Sequence, residues 1–119
     1  MAARSIEELF QQGIDLFNEG RFFECHEAWE QAWLRSSGEE KLFYQGMIQA
    51  AVAILHAQRG NIEGARSLRA KALDKLRPLP GDHMGIALDE LRRALEEFFD
   101  QTLSGKSPDR SPEIKRNTT

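Results

Sequence analysis

Residues 22–33, reading FFECHEAWEQAW, place one histidine, three glutamates and two tryptophans in a single expected helix. His26, Glu30 and Trp33 stand at i, i+4 and i+7, so they share one helix face. A neutral imidazole and a carboxylate one turn apart can hold a metal ion together. They can equally form a hydrogen-bonded pair in which the glutamate fixes the imidazole tautomer. The flanking tryptophans would exclude water and strengthen either interaction. HEAWE is not the zinc-protease pattern, which has a second histidine at the place of Glu30.

A second polar row lies downstream inside an apolar helix. Gln45, Gln49, Val52 and His56 fall at i, i+4, i+7 and i+11, again on one face. Buried polar groups need partners, so this row is expected to meet the His26/Glu30 ridge across a helix–helix contact. Metal ligands would then be His26, Glu30 and His56, with Gln45 and Gln49 lining a ligand. Such a donor set suits zinc, iron or manganese. A catalytic version, a metal-assisted hydrolase, would use Glu27 or Glu30 as general base. The plain alternative is a His–Glu–Gln network that only fixes helix register. Phe22, Phe23, Trp29 and Trp33 read as core and rim, Cys25 as a small buried thiol, and His83 as a solvated loop residue.

The elements that position these residues are helical. Ser5 with Glu8 makes a capping box, and Ile6, Leu9, Phe10, Gly13, Ile14 and Phe17 give a helical stripe ending near Gly20. A second helix follows to about Arg35, so the pair forms a tight hairpin. Ser37 with Glu40 is a second capping box. The third helix, about Glu39–Arg59, is apolar nearly all round and is expected to be central, with Gly46 and Ala50 allowing close packing. Gly60 ends it, and Asn61 caps a fourth helix, about Ile62–Leu76. Pro78, Pro80 and Gly81 make a loop. Asp82 is a candidate cap for a fifth helix to about Thr102, its start blurred by Gly85. Arg66, Arg69, Lys71, Lys75 and Arg77 read as an exposed basic face. No segment alternates with period two, so no sheet is expected.

Gly20-Arg21-Phe22 and Gly60-Asn61-Ile62 sit forty residues apart at two helical corners, with Cys25 matching Ala65. This faint repeat is similar to tetratricopeptide-like hairpins. The expected architecture is all-α: a compact bundle of about five helices, two antiparallel hairpins plus a closing helix. Residues 1–103 form one helical domain. Residues 104–119 have little to bury and are expected to be a disordered tail.

The formal charge of −3, with both signs mixed along the chain, argues against nucleic acid. No apolar run spans a membrane, the N-terminus lacks a signal-peptide core, and the single cysteine suits a reducing, cytoplasmic setting. A peptide-binding helical module is the third candidate function, and an exposed tryptophan ridge would favour a homodimer.

The stretches FNEGRFFECHEAWEQAW and FYQGMIQAAVAILHAQRGNIEGA, with the spaced leucines up to Leu76, resemble the family called Domain of Unknown Function 309. The family signature, histidine, three residues, glutamate, two residues, then tryptophan or tyrosine, corresponds to His26, Glu30 and Trp33. The resemblance implies an all-helical fold and a suggested metal-binding role for the motif, and no known reaction.

Overall fold

The computed structural model describes residues 4–108 and 110–117. Five helices follow in order: α1 (Ile6–Asn18), α2 (Phe22–Leu34), α3 (Gly38–Gln58), α4 (Ile62–Leu76) and α5 (Leu88–Leu103). Strands β1 (Asp82–His83) and β2 (Ile86–Ala87) form a small hairpin between α4 and α5.

Local chemistry sets the helix ends. The Glu8 amide donates to Ser5 Oγ at 3.1 Å, and the Ser5 amide donates to Glu8 Oε1 at 3.2 Å, completing the capping box. Those bonds hold the Glu8 carboxyl below its usual range. Gly20 and Gly60 both adopt φ 79°, the left-handed geometry that a tight corner after a helix requires. Asn61 Oδ1 accepts from the Gly64 amide at 3.1 Å. The second expected capping box is not made: Ser37 gives no side-chain cap. Gly38 follows it at φ 62° and turns the chain away from regular first-turn geometry.

The helices pack chiefly on their sequence neighbours, α1 on α2, α2 on α3 and α3 on α4. Gly13 faces Trp29 and Phe17 faces Phe22, so α1 and α2 run antiparallel. Gly46 lets Leu76 of α4 lie against the α3 backbone, where an added Cβ would stand 2.9 Å from Leu76 Cδ2. Cys25 and Ala65, the matched small residues after the two corners, are both fully buried. Helix α3 buries Phe43, Tyr44, Met47, Ala50, Ala51, Ala53 and Ile54 and is the centre of the bundle.

Two expectations are corrected outside the helices. The hairpin was not anticipated because its strands are too short to alternate. Its turn places Met84 at φ 52° and Gly85 at φ 76°, the paired left-handed geometry of a two-residue hairpin turn. Asp82 therefore sits in β1, and α5 starts at Leu88. Secondly, residues 110–117 are not a free tail. Pro112 and Ile114 are buried, and Asn18 holds both backbone polar groups of Ile114 at 2.9 and 2.7 Å. The expectation for residues 109, 118 and 119 lies outside the described residues.

On the outer side of α4, Arg69 pairs with Asp100 at 2.5 Å and Arg77 with Glu96 at 3.4 Å. The basic face thus partly answers the acids of α5. Arg92 donates to the carbonyls of Leu76 and Leu79 at 2.7 and 2.9 Å, satisfying the orphan end of α4.

Candidate functional site on helix α2

Helix α2 turns Phe22, Cys25, Ala28, Trp29 and Ala32 into the core. The remaining faces stay open to solvent, and they carry the polar residues. His26 Nε2 lies 3.1 Å from Glu30 Oε2, with the two side chains 28% and 53% exposed. The expected pair is therefore made. Phe23 is exposed, its ring centroid 5.8 Å from that of His26. Glu27 is exposed on the same ridge, which ends at exposed Leu34. At this exposure an i,i+4 pair stabilises the helix by only about 0.2–0.5 kcal/mol.

His56 does not join that pair. His56 Nδ1 sits 3.1 Å from Asn61 Nδ2, tied to its own corner at the end of α3. Among the described residues, no three of His, Cys, Asp and Glu converge where they could hold a metal. His26, Glu30 and His56 are thus not one centre. A zinc site takes three or four protein ligands, whereas His26 and Glu30 are two and already satisfy each other. These residues do not fit a resident metal ion. The cluster is also not enclosed, because Glu27 and Glu30 lie on the open side of α2.

Polar groups do remain unanswered on α2 and on α3. Gln49 Oε1 of α3 and Trp33 Nε1 of α2 are buried, and no hydrogen-bond partner is found for either among the described residues. Lys41 places its ammonium 4.6 Å from the Trp33 ring centroid, a cation–π contact at the start of α3. Gln45 is half-buried, and its side chain joins no described hydrogen bond. The tryptophan ridge is not an exposed dimer face: Trp29 is core, and Trp33 is partly covered. His83 is not a solvated loop residue either. Its ring centroid lies 5.2 Å from that of Phe43, and its Nε2 is buried.

Cys25, one residue before His26, is fully enclosed, and burial pushes its thiol up. A thiolate is the reactive species. We therefore expect Cys25 to stay unmodified by a thiol-specific disulfide reagent in the native chain. One equivalent of label should appear only once denaturant is added, read by absorbance or mass. Rapid labelling of the native chain would mean that α2 opens locally.

Cavities of about 410 Å³ and about 340 Å³ lie elsewhere, against α5 with Pro108 and residues 110–115, and beside the corner at Asn18–Gly20. Neither is lined by His26, Glu27, Glu30, Gln45, Gln49 or His56. The residues to which sequence reasoning gave no functional part are Phe23, read there as core or rim yet 50% exposed, Asn18 and Arg92. Only the first carried a signal, as an aromatic one turn before His26 on the polar side of the helix.

The fold and site define a small all-α domain of paired helical hairpins with a polar, half-open motif on its second helix. Residues 10–68 match the family model described as Domain of unknown function (DUF309). Over that segment, from α1 into α4, the chain belongs to this family. It is 33% identical over 111 residues to an uncharacterized protein of Aquifex aeolicus (strain VF5), covering 92% of this chain and 32% of that protein. It is 36% identical over 86 residues to the uncharacterized protein YpuF of Bacillus subtilis (strain 168), covering 67% of this chain and 48% of YpuF. The chain therefore spans less than half the length of either relative. No helix of the described residues is long and apolar enough to cross a membrane.

Proposed function

We propose that this domain binds a small polar ligand through α2, with His26 and Glu30 as the recognising pair. The half-open state of that pair is the observation that carries the reading: the groups are matched at 3.1 Å yet remain in reach of solvent. A carboxylate can accept several hydrogen bonds, so Glu30 keeps capacity for a ligand N–H beyond its contact with His26. Glu27 adds negative charge on the same ridge, and Phe23 adds an apolar surface against which a ligand can rest. The carbonyl oxygen of Gln49 on α3 is buried with no described partner and is a second unanswered acceptor. This chemistry favours a small molecule bearing N–H donors. Binding fits better than turnover, because Glu27 or Glu30 as a general base would need an acid or nucleophile placed across a cleft. We place the domain in the cytoplasm, where a lone thiol stays reduced.

A thermal-shift panel of free amino acids, small primary amines, Zn²⁺ and Mn²⁺ tests this. A true ligand at saturating concentration should raise the midpoint of the unaltered chain by about 5 °C or more. The shift should vanish in Glu30→Gln, which keeps size and removes charge, and persist in Glu39→Gln, an exposed position at the start of α3. Equal shifts in all three chains, or none, would sink the proposal.

A further inference from the structure

A second site lies where the chain's own residues 110–117 are seated. Asn18 is the last residue of α1. Its Nδ2 donates to the Ile114 carbonyl at 2.9 Å, and its Oδ1 accepts from the Ile114 amide at 2.7 Å. One side chain thereby satisfies both backbone groups of one residue, which recognises an extended main chain whatever its sequence. The segment then continues along the hairpin. The Ala87 amide donates to the Lys115 carbonyl at 2.9 Å, and the Asn117 amide donates to the Gly85 carbonyl at 2.8 Å. Ile86 pairs with Arg116 in an antiparallel bridge. This is strand addition, with main-chain bonds supplying affinity and alternate side chains supplying specificity.

The alternate side chains are distinct. Pro112 and Ile114 are buried, and Ile114 is 4% exposed. Arg116 lays its guanidinium 5.2 Å from the Phe10 ring centroid, hydrogen-bonds Gln11 and lies 3.7 Å from Glu7. The intervening Glu113 and Lys115 are exposed. The α1 wall of the seat, Phe10, Gln11 and Asn18, falls inside the family-matched segment 10–68, whereas the occupant falls beyond it.

We propose that Asn18, Phe10 and the β2 edge form a binding site for an extended peptide of pattern Pro-x-Ile-x-Arg. The chain's own residues 112–116 fill it in cis, and a segment of a partner protein with the same pattern fills it in trans. The tether from Leu103 to Arg110, residues 104–109, is short. A tethered segment competes at an effective concentration of about millimolar, so the cis occupant masks the site from weak outside peptides.

The test uses the full chain and a fluorescent synthetic peptide of residues 110–117. The Ile114→Asp chain should bind this peptide about tenfold or more tightly than the unaltered chain, by the tether argument. Adding Asn18→Ala should weaken that binding about tenfold, the loss of about 1.4 kcal/mol expected for its backbone bonds. A peptide carrying aspartate in place of isoleucine should not bind. Should Ile114→Asp fail to fold, the unaltered chain serves: millimolar peptide should shift the Asn18 side-chain amide signals in a ¹H–¹⁵N spectrum, and the aspartate peptide should not. Absence of binding in whichever format folds overturns the proposal. A concentration-dependent dimer of the unaltered chain that Asn18→Ala abolishes would also overturn it, assigning the seat to a second copy.

Discussion

Trp29→Ala should lower the unfolding free energy by about 3–5 kcal/mol, the range for removing a fully buried large aromatic. Urea denaturation followed by far-UV circular dichroism reads this directly. Trp29 is 0% exposed and is the largest fully buried side chain of the core. Its ring sits 5.9 Å from that of Phe17, and its indole N–H donates to the Phe10 carbonyl at 3.3 Å. Losing it opens a void between α1 and α2, the hairpin that presents His26 and Glu30. Trp29→Phe should be milder, because most of the ring volume stays and one hydrogen bond worth about 1 kcal/mol is lost. A small effect from the alanine variant would mean that α1 collapses onto α2 and refills the space.

Gly13→Ala should destabilise the chain by about 2–4 kcal/mol, although alanine is the better helix former by about 1 kcal/mol. The added Cβ would stand 1.9 Å from Trp29 Nε1 and 2.3 Å from its Cδ1. The indole must move, which strains the core by about 1–3 kcal/mol and endangers a buried hydrogen bond worth about 1–3 kcal/mol. Those terms outweigh the helix gain. The same substitution made in the Trp29→Ala background should become neutral or stabilising, since the obstructing ring is gone. A double-mutant cycle by urea denaturation tests that reversal of sign. Gly46→Ala is the contrast: its new methyl would stand 2.9 Å from Leu76 Cδ2, 3.0 Å from Leu76 Cγ and 3.2 Å from Lys75 Cβ, a much less severe overlap than at Gly13.

What the sequence made legible is what short spacing determines. The capping box at Ser5, the left-handed corners at Gly20 and Gly60, and the His26–Glu30 pair are all settled within four residues of themselves. The all-α class followed from the same periodicities. What failed was set by register between helices. His56 shares a face with Gln49, but Asn61, five residues on, offered it a local partner, and it took that one. The half-exposure of Glu30 was equally hidden, because it depends on how deeply Trp29 sinks beside Gly13. Residues 110–117 read as unstructured because Pro112 and Ile114 are two apolar groups in a polar run. Their seat is assembled from α1 and β2, at least twenty-five residues away in sequence, and no local pattern announces it.

The Asn18–Ile114 bonds also join positions 96 residues apart, whereas the main helix contacts link neighbours along the chain. In kinetic terms that makes the molecule two-tiered. The four-helix run can form by successive local closures, each with a low entropic barrier. The last segment must close a ring across nearly the whole chain, a penalty that grows with the logarithm of loop length. It should thus be the final piece to settle in folding and the first to lift under stress. The bundle beneath can stay native as it does so, giving the protein an opened form that is separate from its unfolded one.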